Sequence, residues 1–133
     1  MKAMAGMVLL AVVAAAQAGE EENTPCDNVE TEAQAHACAA FNKQASEREL
    51  KSAYDELLQR VHDAFDDKGS VAATMIERLK QAQGLWTQLR DADCKVETLT
   101  LPTNGKAYQA AWDTCVAQRT DDRSEYLQSI LQQ

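Results

Sequence analysis

The residues of this chain able to do chemistry are four cysteines, two histidines and an excess of carboxylates over basic groups. Cys26, Cys38, Cys94 and Cys115 include no Cys-x-x-Cys pair, the spacing common to zinc sites and redox dithiols. Oxidative pairing is the chemistry that remains, and it belongs outside the reducing cytosol. His36 precedes Cys38 by two residues, a helical spacing at which side chains diverge, so the two form no ligand pair. His62 stands beside an apolar helix face, where a half-buried imidazole is commoner than a ligand. The closest acids, Glu47 with Glu49 and Asp91 with Asp93, also diverge and make no catalytic dyad. There is no Ser-His-Asp order, no Gly-rich phosphate loop and no His-Glu-x-x-His element. These absences predict a protein that is not an enzyme and holds no metal or cofactor.

The N-terminus points to an oxidising compartment. Lys2, the apolar stretch Val8 to Ala16 and the small-residue site Ala16-Gln17-Ala18 before Gly19 have the order of a cleavable export signal. The reading is a leader over residues 1–18, a single domain over residues 19–133, and a periplasmic or secreted location. The apolar stretch is about half the ~20 residues that a membrane span needs, and no second one occurs, so membrane insertion of the mature chain is not expected. A domain of this size buries only about two-thirds of the surface its unfolded form exposes, so covalent staples matter. Four cysteines allow three pairings. Cys26–Cys38 and Cys94–Cys115 are favoured because each closes a short loop at the edge of a predicted helix, contributing about 3 kcal/mol in the chain-entropy model. The formal net charge is −8, and one of the basic residues, Lys2, belongs to the leader. That balance disfavours nucleic acid and anionic lipid surfaces and favours a basic partner. It serves plain solubility equally well, with Glu20 to Glu22, Asp66, Asp67, Asp121 and Asp122 as solvated charges.

Positioning falls to helices. An alanine-rich helix is predicted from about Thr31 to Gln44. Ser46 and Glu49 read as a capping box that starts a second helix ending near Asp66, either separate from the first or continuous with it through a bend. Lys68-Gly69-Ser70 is a turn, a third helix covers about Val71 to Asp93, residues 95–106 form a loop, and a last helix runs from about Ala107 to Leu131. The fold class is all-α: a small, disulfide-stapled antiparallel bundle of three to four helices. At 100° per residue, Met75, Ile76, Leu79, Ala82, Trp86, Leu89 and Cys94 share a side of the third helix, with Gln83 and Arg90 inside the stripe. Arg123 lies among Trp112, Val116, Leu127 and Ile130 on the last helix, and Glu47 lines up with Leu50, Tyr54, Leu57, Leu58, Val61 and Phe65. Tyr54, Trp86 and Trp112 are therefore core aromatics, while Tyr108 and Tyr126 fall at stripe margins. Enclosed charges must pair or reach water along their stems. Pairing of the second and third helices across the turn would set Glu47 opposite Arg90, so an ion pair between them is expected, with Arg123 nearby or bonded to loop carbonyls.

The pattern Gln83-x2-Trp86-x3-Arg90-x3-Cys94, then Cys115, then Thr120-x2-Arg123-x3-Leu127, resembles the LprI-type lysozyme-inhibitor-like family of small exported bacterial proteins. Cys26, Cys38, the acidic residue three before Leu50, and Tyr54 agree with it. Glu47 stands where the family usually has Asp, Lys51 where it has Asn, and the segment after Cys94 has Asn104-Gly105 in place of a glycine pair. The resemblance implies a helical, disulfide-containing fold and, for some members, inhibition of lysozyme. The shared residues read as fold determinants rather than as an inhibitory finger.

Two functions follow. One is an exported acidic protein that binds and inhibits a basic lysozyme-type muramidase, with the loop between two cysteines (Lys95, Leu99, Leu101, Asn104 and Lys106) as the candidate contact. The other is an envelope structural or adaptor protein with a different partner. The oligomeric state stays open.

Overall fold

The computed structural model describes residues 23–132, and the expected leader over residues 1–18 lies outside the described residues. Three helices, α1 (Glu32–Ala64), α2 (Gly69–Glu97) and α3 (Lys106–Ser129), account for most of the described chain, and no strand occurs among the described residues. They run up, down and up. Lys43 meets Asp113 about a third of the way along α1 and α3, and Arg60 meets Ile130 at their C-terminal ends, so these two helices are parallel. The main helix pairing is α1 with α3, and α2 returns antiparallel along α3.

The two helical stretches before residue 66, expected to be separate or continuous through a bend, form one continuous helix of 33 residues. Its N-cap is Thr31, whose hydroxyl accepts the Gln34 amide at 3.2 Å while the Gln34 side chain accepts the Thr31 amide at 2.9 Å. Ser46 is not a cap. It is buried mid-helix, and its hydroxyl donates to the Lys43 carbonyl at 2.9 Å. A serine satisfied by its own helix needs no break there, and no Gly or Pro between Glu32 and Ala64 imposes one. α2 and α3 extend beyond or shift from their expected limits, so the connecting loop is residues 98–105. Lys95 consequently belongs to α2, and Lys106 is the first residue of α3.

Small residues bring α1 and α3 together. Ala39, Ser46 and Ala53 recur every seven residues on α1, interleaved with Leu50 and Leu57, and all five are buried. α3 answers with Val116, Ala117, Thr120, Ser124 and Leu127. Thr120 and Ser124 donate to the Val116 and Thr120 carbonyls at 2.6 and 3.0 Å, so neither hydroxyl is buried without a partner. Asp113 is buried too. It accepts from the Lys43 ammonium at 3.3 Å and from the Gln109 side chain at 3.1 Å. At the far end, the Arg60 guanidinium donates to the Leu127 and Ile130 carbonyls at 2.9 and 3.2 Å, closing the C-terminus of α3 with positive charge.

Two apolar clusters result. Leu50, Ala53, Leu57 and Val61 of α1 join Ala72 and Leu79 of α2 and Leu127 of α3, flanked by Tyr54, Phe65 and Trp86. Cys94, Cys115 and Val116 form the second, with Trp112 against them. The disulfides are Cys26–Cys38, which ties the N-terminal segment onto α1, and Cys94–Cys115, which ties the end of α2 to α3. α2 thus joins the first cluster through Ala72, Leu79 and Trp86, and near its C-terminus it is tied to α3 by the second bridge.

The expected Glu47–Arg90 pair is absent. Glu47 is exposed, and Arg90 instead bonds its neighbour Asp91, with its Nε 2.8 Å from Oδ1. The expectation assumed that this part of α1 faces α2, whereas it faces α3. Leu89, assigned to the buried stripe, is 60% exposed. Glu47→Ala is therefore expected to leave stability within about 0.5 kcal/mol of the parent. Leu57→Ala, at a fully buried site, should cost about 2–5 kcal/mol. Urea denaturation of the two variants checks both.

Candidate functional site

Two constellations stand out, a cationic clamp between α2 and α3 and an acidic groove between α1 and α3. The clamp is built on Trp86. The Arg90 guanidinium carbon lies 5.2 Å from the indole centroid, and that of Arg123 lies 5.6 Å from it. Arg123 also lies 5.1 Å from the Tyr126 ring, and its Nε donates to the Gln83 carboxamide oxygen at 3.1 Å. Burial pulls the Arg123 pKa below the usual guanidinium value, and Tyr126 acts in the opposite direction. Gln83, Trp86, Arg90 and Arg123 thus converge, because steps of three and four residues place the first three on one stripe of α2. Glu47 does not join them. The Arg123 cation is met by aromatic faces and an amide oxygen, with no ion-paired carboxylate among the described residues, whereas Arg90 is paired with Asp91. The arrangement joins α2 to α3.

The other expected residues are dispersed. Tyr54 is half-buried at the edge of the first cluster, and Trp112 lies against the second, stacked at 6.3 Å on Tyr108. In the loop, Thr98 is buried and bonds the Cys94 carbonyl at 2.8 Å, Leu101 is half-buried, and Leu99 and Asn104 are exposed. His36 is half-buried and His62 exposed. Among the described residues, no group of three His, Cys, Asp or Glu is placed to hold a metal ion.

The acidic groove was not foreseen. It has a volume of about 380 Å³, a floor that includes Ser46 and Ala117, and walls that include Asn42, Glu49, Thr114 and Asp121. Asp122 and Glu125 lie close enough to act on Asp121 electrostatically. Burial raises the Asp121 pKa, and the charges of Glu49, Asp122 and Glu125 push it the same way. None of these four carboxylates has an ion-pair partner among the described residues. The sequence placed Asp121 and Asp122 among solvated charges. Their meeting with Glu49, some 70 residues earlier, depends on the α1–α3 register.

The family model described as lysozyme inhibitor LprI matches residues 26–127, from the first cysteine to the last buried leucine. The chain belongs to the LprI family. It is also similar to a crystal structure of a DUF1311 family protein from Pseudomonas putida KT2440. The two share 55% identity, the match covers 77% of this chain and 96% of that one, and the TM-score is 0.69. No curated protein matches the sequence. The match spans both disulfides, the clamp and the groove. Among the described residues, no helix of this LprI-family chain is long and apolar enough to cross a membrane.

The two constellations respond differently to substitution. Arg123→Ala removes the cation from two rings and the bond to Gln83. It should cost about 1–2 kcal/mol and shift Trp86 emission to longer wavelength, as read by denaturation and fluorescence. Asp121 is less acidic in the fold than in the unfolded chain, so folding takes up protons as pH rises from the ordinary aspartate range through its raised pKa. Stability falls across that window. Asp121→Asn should therefore raise Tm at neutral pH and flatten that decline, which thermal melts across the acid range would show.

Proposed function

We infer that this LprI-family chain is an exported inhibitor of lysozyme-type muramidases that receives its basic target on the α1–α3 groove. The observation that carries the reading is Glu49 and Asp121 on the groove walls with Asp122 and Glu125 close to Asp121, none of the four in an ion pair among the described residues and all borne by two packed helices. Many lysozymes are strongly basic. Opposite charge steers such a partner, and groups held on packed helices lose little freedom on binding. A lysine or arginine from the target would find carboxylates on both walls of the groove. The family description and the acidity of the whole chain, net −8, favour the same target class.

The disulfide-flanked loop matches a basic partner less well. Lys95 and Lys106 bracket it and are both exposed, so they repel a cationic surface. Inhibition on this account is occlusion: the bound protein blocks access to the wall polymer, and no group on the inhibitor takes part in chemistry. The sulfur bridges and the Ala16-Gln17-Ala18 site support export, with cleavage leaving residues 19–133. Exported protein should accordingly begin at Gly19 by N-terminal sequencing.

The mature protein should slow lysis of cell walls by a basic lysozyme, and added salt should weaken the effect. The combined variant Asp121→Asn, Asp122→Asn, Glu125→Gln should bind at least about tenfold more weakly, while Lys95→Ala should not weaken binding. Calorimetric titration against the enzyme measures both. Equal inhibition by the triple variant would remove the groove from the account. Undiminished lysis at micromolar protein would remove basic lysozyme as the target and leave the envelope adaptor.

A further inference from the structure

The outer face of α2 carries an apolar seam that the fold does not use. Ala82, Leu85, Leu89, Ala92, Val96 and Leu99 follow one another in alternating steps of three and four residues, the heptad spacing of a helix that meets another helix. Five lie on α2, and Leu99 directly follows its C-cap Thr98. All six are exposed. Leu85 is 59%, Leu89 60%, Val96 72% and Leu99 80% accessible, in a protein whose other large apolar residues are mostly covered. The seam lies about a third of a turn from the inner stripe of Leu79, Gln83, Trp86, Arg90 and Cys94, so packing on α3 leaves it free. Monomeric proteins rarely leave so continuous an apolar strip uncovered.

We propose that this seam is covered by a second copy of the chain, the two α2 helices packing antiparallel about a twofold axis between Arg90 and Asp91. The spacing is self-matching in that direction. Ala82 of one copy faces Leu99 of the other, Leu85 faces Val96 and Leu89 faces Ala92, so every layer is apolar and every position is used twice. The flanks agree. Gln88 falls beside Lys95 of the other copy, and Trp86 beside Asp93, with no like charges opposed. Charge selects the helix as well. The chain is strongly acidic, but α2 carries four basic and four acidic residues that cancel, making it the segment through which two copies approach with least repulsion. The groove with Glu49 and Asp121 is built by α1 and α3 and stays open in the dimer.

Sedimentation of the mature, disulfide-intact protein from micromolar to millimolar concentration tests this. The wild type should show a reversible monomer–dimer equilibrium. Leu89→Glu, at a residue exposed in the monomer, should keep the helical circular dichroism of the parent and weaken dimerisation at least about tenfold. Leu85→Glu and Val96→Lys should each weaken self-association, and an equimolar mixture should recover a heterodimer, because only the antiparallel register sets residue 85 against residue 96. Lysozyme inhibition by Leu89→Glu should match the wild type whether or not the groove is the inhibitory surface, so the two readings fail separately. A wild type that stays monomeric throughout overturns the proposal, even if it captures a helix from another protein. A dimer indifferent to Leu89→Glu, or a mixture that recovers nothing, also overturns it.

Discussion

Close approach of two parallel helices is the constraint on which this molecule rests. α1 and α3 can lie close because alanines, serines and a threonine stand where they meet, and because each hydroxyl there bonds a carbonyl of its own helix. Larger side chains would hold the helices apart, and hydroxyls without partners would carry an unmet desolvation cost. The register that follows puts Lys43 on Asp113 and Arg60 on the last carbonyls of α3. It also sets Glu49 beside Asp121, so an accumulation of like charge results from packing that favours the fold for other reasons.

α2 is attached by different means. Near the 65–68 turn it contributes Ala72 and Leu79 to the main core, and farther along it meets α3 where Trp86 and Gln83 contact Arg123 and at the Cys94–Cys115 bridge. A helix held along one edge keeps another edge free, which is how one element can carry both the residues typical of the family and an uncovered apolar strip. The bridge compensates for the small apolar contact there.

Much of the architecture is readable from the amino-acid order because its signals are local. Lys68-Gly69-Ser70 marks a turn, the loop with Pro102 and Asn104-Gly105 marks another, and steps of three and four residues place Gln83, Trp86, Arg90 and Cys94 on one face. Periodicity identifies a face without saying which helix it meets, so the pattern sets Glu47 opposite Arg90 although α1 packs mainly on α3. Ser46 and Glu49 have the spacing of a helix start, yet nothing in the residues before them stops a helix, and the real start is Thr31 with Gln34. Leu89 lies close enough to the inner stripe to be counted in it, although the outer seam claims it. The acidic groove needed the pairing of α1 with α3, which no local pattern encodes.

The pairing of first and last helices has a consequence for how the chain reaches its native state. Arg60 and the carbonyls it caps are separated by about 70 residues, so the principal contact closes late, after a long loop has been ordered. As the polypeptide emerges N-terminus first, α1 appears with its apolar side bare and no α3 to meet it. Alanine-rich turns and the Thr31 cap let that helix persist alone to some extent, but its leucines face water until α3 is in place. Biogenesis of this molecule is therefore most vulnerable to misassociation in the interval before α3 emerges, and loss of α3 would strip α1 of its main packing partner as well as remove one helix.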